Sequence, residues 1–379
     1  MITSLYIENY KIHKRTTLNL KNLSVLTGQN SSGKSSIIQM LLLLRQSYLK
    51  GELKNGLQLQ GDLCNVGLIT DALCKYADED TVKMGIVEND RLYNWEFSQR
   101  SNSSFQDMIP ANDNNVVIDD VVPSIFSNDF QYISASRWSP RESYPLNTSA
   151  VEIKKQLSSE LGLCDLVPHY LYHYGKEKSW TIKEELKHNE TESLDLIDQV
   201  SAWENIISKG VNVIPQREGK AFVLKYSFNR PNDFVSSDEF NATNVGYGLS
   251  YALPIIVALL TASANSLIII ENPEIHLHPH GQSELAKLIA RTAQMGAQII
   301  VETHSDHIIN GILVATKQFE NDDKGVDRNN VQLINCKKDD VTQTAEVTPI
   351  SIIGDGKIDV QPEGFFDQTE KDLSYLLGF

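Results

Sequence analysis

Residues Gly28-Gln29-Asn30-Ser31-Ser32-Gly33-Lys34-Ser35 fit the pattern G-x-x-x-x-G-K-[ST], and no other feature limits the possible folds so narrowly. An apolar run, Leu23–Thr27, leads into it, and apolar residues at helical spacing follow from Ser35 to Tyr48. A strand, a glycine-rich turn and a helix therefore stand in the order that a phosphate-cradling loop requires. The glycines let successive backbone N–H groups face inward toward anionic oxygens, and the helix N-terminus adds the positive end of its dipole. Lys34 is placed to bridge the β- and γ-phosphates, and the Ser35 hydroxyl, followed by Ser36, to ligate Mg²⁺. The expected ligand is ATP or GTP with Mg²⁺, held by residues 28–36, and the expected fold class is α/β.

A second informative stretch spans 244–311, where loop, helix, strand, helix, strand and helix follow one another. That order is a βαβ unit and calls for a parallel sheet buried on both faces. Leu267-Ile-Ile-Ile270 suits such a strand and ends at Glu271-Asn272-Pro273-Glu274. A carboxylate at that end can hold the metal, so Glu271 is the candidate metal acid. The stretch 271–279 resembles the acidic strand end and following turn of ABC-type ATPases, a resemblance that implies a catalytic Glu where Asn272 stands, and an amide cannot take a proton from water. Glu274 is then the candidate general base, and turnover is expected to be slow if it does not fill the role. His276 and His278 read as parts of a tight turn and not as metal ligands, because no third and fourth ligand lie nearby. The next strand, Gln298–Val301, ends at Glu302-Thr303-His304-Ser305. His304 is the candidate donor to the γ-phosphate as charge develops, and His307 reads as helix surface.

Ahead of the first of these strands lies Asn244-Val-Gly246-Tyr-Gly248-Leu-Ser250, opening an apolar helix. Two glycines and a serine at a helix start form a further anion-binding device, with Ser250 expected to supply a capping hydroxyl. One ATP needs only one phosphate loop. Gly248 and Ser250 are therefore read as contacts for a γ-phosphate carried by a second copy of the chain.

Phosphate loop, signature-like segment, acidic strand end and histidine in this order resemble the ABC-type heads of the RecF, SMC and OLD class. The strings Glu271-Asn-Pro-Glu-Ile-His-Leu-His-Pro279 and Glu302-Thr-His-Ser-Asp-His-Ile-Ile-Asn310 look closer to bacterial AAA-family ATPases with a small C-terminal domain, to which Gly356–Leu377 (Pro362-Glu-Gly-Phe-Phe-Asp) is similar. Such ATPases occur in anti-phage defence loci, among them Septu-type and retron-associated systems. The resemblance implies a head that dimerises around ATP, forming a head-to-head dimer or a higher oligomer. It also implies a separate partner nuclease, often of HNH type. DNA or a retron-type nucleic acid is a further implied contact, and a RecF-like DNA-maintenance ATPase is the alternative role. No long heptad array with a C-x-x-C hook is present, and the 75 residues after His304 hold no D-x-D cluster of the Toprim kind. Nuclease activity of the chain's own is therefore not expected.

The resemblance implies an ABC-type P-loop head with a mixed or parallel central sheet flanked by helices, an N-terminal antiparallel β subdomain and an inserted helical lobe. Expected boundaries are 1–149, 150–240, 241–316 and a small C-terminal domain from 317 to 379. Helices are predicted over Val151–Leu161 and Glu190–Ile207, a hairpin over Val82–Val87 and Arg91–Phe97, and a polar loop over 101–115. The formal charge of −15 argues against a surface that coats nucleic acid everywhere, leaving Lys11/His13/Lys14/Arg15 and Arg137/Arg141 as candidates for a local basic groove. The four cysteines lie far apart and read as reduced thiols, no stretch is long and apolar enough to span a membrane, and the start lacks a secretory signal. A cytoplasmic setting is expected.

Overall fold

Leu23, Val25 and Leu26 are wholly buried in the strand Leu23–Gly28, which explains why its sequence is an unbroken apolar run instead of an alternating one. The computed structural model describes residues 1–98, 106–112, 122–229, 238–361 and 368–378. The chain divides into two compact units. The first comprises 1–123, 302–306 and 327–379, the second 124–301 and 307–326.

In the first unit the phosphate-loop strand pairs in parallel with Val331–Lys338, which pairs antiparallel with Ala345–Ile350, giving a mixed sheet. On its other side the Thr303 N–H donates to the Leu26 carbonyl at 3.1 Å. The helix after the loop runs from Lys34 to Leu49 and is buried on nearly all sides. A separate antiparallel sheet has the order His13–Asn19, Ile2–Tyr10, Thr81–Glu88, Arg91–Ser98. Its predicted hairpin turns at Asn89 and Asp90, both at positive φ, the geometry of a tight two-residue connection. Of the predicted polar loop, 101–105 and 113–115 lie outside the described residues. Between them Met108–Pro110 forms a short strand against Gly56–Gln58. The string from Pro362 to Asp367 also lies outside them.

In the second unit Leu267–Glu271 lies between residues 298–301 and Phe130–Ile133, parallel to the latter. Residues 267 to 270 are wholly buried, as their composition demands. The helices Tyr247–Leu260 and Pro279–Gln294 precede and follow this strand. The intervening lobe is less helical than its periodicity suggests. Val151–Leu161 gives only a π-helical turn at Ser149–Ile153, and Lys155 and Leu161 take positive φ. Glu190–Ile207 yields a helix only over Leu196–Glu204. Upstream, Thr191 and Ser193 hydroxyls accept from the N–H groups of Ser193 and Asp195, side-chain bonds that compete with helix formation. The hairpin Val211–Glu218/Ala221–Phe228 matches its alternating sequence, with Pro215 on the edge strand, where a missing N–H does least harm.

The fold expectation holds: parallel and mixed sheets flanked by helices, with antiparallel sheets alongside. Among the described residues no helix is long and apolar enough to cross a membrane. All four cysteines are buried, and burial pushes the Cys164 and Cys336 thiols up to about 12, which keeps them protonated and unreactive.

Candidate functional site

The phosphate loop is held open by backbone geometry that only certain residues tolerate. Gly33, at the N-cap of Lys34–Leu49, has φ +98°, and a Cβ there would come within 2.7 Å of the His13 ring. His13 is fully buried, with Nε2 3.0 Å from the Gly33 carbonyl and Nδ1 2.9 Å from Thr16 Oγ1. Because Nε2 faces a carbonyl it must carry the proton, which leaves Nδ1 to accept from Thr16. Burial lowers its pKa, so the ring is a neutral brace under the loop.

A cavity of about 380 Å³ lies over the loop, lined by residues 30–36, Lys11, Ile12, Gln39, Glu302 and His304. Lys34 is 3% exposed, and its ammonium donates to the carbonyls of Gly28 (2.9 Å) and Gln29 (2.7 Å). Burial lowers its pKa, and the nearby Glu302 carboxylate opposes that. The Ser35 hydroxyl donates to Glu302 Oε1 at 2.8 Å. Ammonium, hydroxyl, carboxylate and imidazole groups thus line a single cavity, a donor set that fits a magnesium-bound triphosphate. Glu302 is the residue that sequence reasoning misses. Its signal is nonetheless present, since it ends a buried strand as Glu271 does, two residues before His304.

Glu271, Asn272 and Glu274 stand together in the second unit. The Glu271 carboxylate accepts from the Ala135 N–H at 3.1 Å; burial raises its pKa and that bond works against the rise. The Asn272 amide reaches Glu274 Oε1 at 3.4 Å. Asn272 and His276 both take positive φ, so the turn after the strand is strained at two non-glycine positions. His278 caps the next helix, its Nδ1 accepting from the His280 N–H, and among the described residues no group of three or more His, Cys, Asp and Glu side chains is gathered around a metal position.

Arg137 organises this turn from inside. It is 1% exposed and donates to the carbonyls of Ser134, Tyr251, Glu271 and Asn272, all at 2.9 to 3.1 Å. Of the candidates for a basic groove, Arg137 is buried, Arg141 stacks on Trp138 at 3.5 Å, and Lys14 and Arg15 pair with Asp78 and Glu8. A lone arginine in an irregular segment gives no sign in the sequence that it braces a turn.

The signature-like segment opens the helix Tyr247–Leu260, but its N-cap is Gly246. Ser250 is 7% exposed and its Oγ is buried beside the Tyr226 hydroxyl, so the expected capping hydroxyl is corrected to an inward-facing one. Gly248 lets the helix sit against the turn, since a Cβ there would come within 2.8 Å of the His276 carbonyl. Gly246, Tyr247, Gly248, His276, His278 and His280 share an open cleft of about 740 Å³.

The AAA ATPase domain family is matched over residues 1–92 and 88–309. The chain belongs to this family. Residues 327–376 of this AAA ATPase match a second family, described as a protein of unknown function (DUF3696). No curated protein matches the chain. Among solved structures it is similar to an SMC head bound to the C-terminal winged-helix domain of ScpA, at 12% identity and TM-score 0.51, over 93% of this chain and 98% of that one. The SMC head domain from Thermotoga maritima matches at 11% identity and TM-score 0.45, over 93% and 100% of the two chains. An Smc head with an extended coiled coil, bound to the C-terminal domain of ScpA derived from Pyrococcus furiosus, matches at 12% and 0.48 over 99% of both. The first of these places the AAA ATPase in the SMC-head fold.

Proposed function

We propose that this AAA ATPase binds ATP with Mg²⁺ between residues 28–36, Glu302 and His304, closes as a dimer around it, and uses that state to control a partner nuclease in anti-phage defence. The observation that carries the proposal is the single cavity shared by Lys34, Ser35, Glu302 and His304. Mg²⁺ supplies neutralisation of the phosphate oxygens; the protein supplies position. Lys34 offsets β/γ charge, the loop N–H groups and helix end bind oxygens, and His304 donates a hydrogen bond where charge develops. Glu271 contributes a metal-holding carboxylate, Glu274 takes the proton from the attacking water, and Asn272 orients it.

Gly248 stands at the open end of its helix, and with Ser250 buried it is the first-turn backbone that contacts the γ-phosphate of a second copy. An isolated helix start of this kind suits an anion delivered from outside the chain. The defence role and the nuclease partner rest on the strings at 271–279 and 302–310, with the SMC head bound to ScpA as an example of this fold engaging a separate protein. Mass measurement at saturating ATP and Mg²⁺ tests the dimer: the Glu274→Gln variant, slowed in hydrolysis, is expected to run as a dimer with ATP and a monomer without. A monomer under both conditions refutes the clamp. Lys34→Ala is expected to abolish both nucleotide binding and dimerisation. Co-purification with the products of neighbouring genes tests the partner, and recovery of no nuclease there removes that part of the reading.

A further inference from the structure

Resting on the nucleotide reading above, we propose that Glu302 orients the Ser35 hydroxyl for Mg²⁺. It is a positioning residue at the last position of the strand Gln298–Glu302, two residues before His304. A serine hydroxyl has one proton and two lone pairs, and it can give a lone pair to a cation only if its proton points elsewhere. Glu302 Oε1, 2.8 Å from Ser35 Oγ, accepts that proton and fixes the rotor. The bond to a carboxylate is charge-assisted, hence stronger than one to a neutral acceptor.

The acceptor is itself well placed. Glu302 is 5% exposed, and the next residue, Thr303, is tied by its N–H to Leu26 in the phosphate-loop strand. Glu302 is therefore held against the strand that carries the loop, within the same compact unit as Ser35. Mg²⁺ demands near-ideal octahedral directions, so a hydroxyl free to rotate is a poor ligand and a fixed one a good ligand. Glu271, by contrast, spends a carboxylate oxygen on the Ala135 N–H. The two strand-end acids thus have separate roles. Glu302 sets the Ser35 ligand, whereas the metal-holding carboxylate proposed above remains that of Glu271.

Binding of a fluorescent ATP analogue, titrated with Mg²⁺ from an EDTA baseline, separates this role from activity. Glu302→Met removes the acceptor at similar volume. It is expected to need roughly 10–100-fold more Mg²⁺ for half-maximal tightening, the usual scale for a lost outer partner of a metal ligand, each variant being read against its own EDTA baseline. Glu302→Gln keeps an acceptor oxygen and is expected between that and the parent. Ser35→Ala should match Glu302→Met, and the double variant should be no worse than either. A Glu302→Met titration that overlays the parent overturns the proposal, and so does a double variant showing the product of the two single effects. Should Glu302→Met not fold, judged by its thermal melt, Glu302→Gln and Ser35→Ala carry the same comparison. A parent protein that binds no analogue with or without Mg²⁺ refutes the nucleotide reading itself, an outcome distinct from these.

Discussion

Arg137 and Glu204 are both ionisable residues shut away from water, and the chain treats them differently. The four carbonyls around Arg137 replace its hydration, so the guanidinium stays satisfied while lacing Ser134, Tyr251 and the Glu271–Asn272 turn together. Arg137→Met leaves those carbonyls unpaired and is expected to cost about 3–5 kcal/mol, the scale for breaking a buried charged network. Guanidinium denaturation measures it. Glu204 is 0% exposed, and among the described residues neither of its carboxylate oxygens has a hydrogen-bond partner. Burial raises its pKa well above the carboxylate norm. The folded state therefore holds its proton at pH values where the unfolded chain has lost it, and stability falls as pH rises from the unfolded pKa toward the folded one. Glu204→Gln is expected to raise Tm at pH 8, with the gain vanishing below about pH 4, near the unfolded carboxyl pKa. A melt series across that range checks it, and a pH-independent gain refutes the assignment.

At the level of elements, the junction between the helix Tyr247–Leu260 and the turn 272–277 is set by one missing side chain. Gly248→Val drives a branched group into the His276 carbonyl and is expected to destabilise by about 1–3 kcal/mol. ATP turnover is expected to drop, while analogue binding at the phosphate loop, in the other unit, stays intact. Equal turnover in the parent and Gly248→Val would show the turn to be a bystander. Elements of this kind are legible in the sequence wherever one physical demand dominates. Leu267–Ile270 is apolar because both faces are covered, and residues 28–35 permit little besides a phosphate loop. The 151–161 stretch misleads because helical spacing cannot register positive φ at Lys155 and Leu161. His13, Arg137 and the inward turn of Ser250 are illegible for a further reason: each depends on contacts between segments far apart in sequence, which no local pattern encodes.

Seen as a whole molecule, the phosphate-loop unit is stitched from three separated stretches, 1–123, 302–306 and 327–379. Its central strand, Leu23–Gly28, has Val331–Lys338 as a parallel neighbour and the Thr303 N–H on its other side. A chain ending at residue 326 is expected to collect in the insoluble fraction, since the strand would lose its partner and bare an apolar edge. A soluble, analogue-binding truncation would show that the later strands are dispensable. The same stitching has a temporal side. Ribosomes add ~5–20 residues per second, so Leu23–Gly28 waits roughly 15–60 s for a neighbour encoded about 300 residues downstream. The nascent protein is expected to hold no triphosphate until the strand Val331–Lys338 has emerged, so shorter nascent chains stay inert.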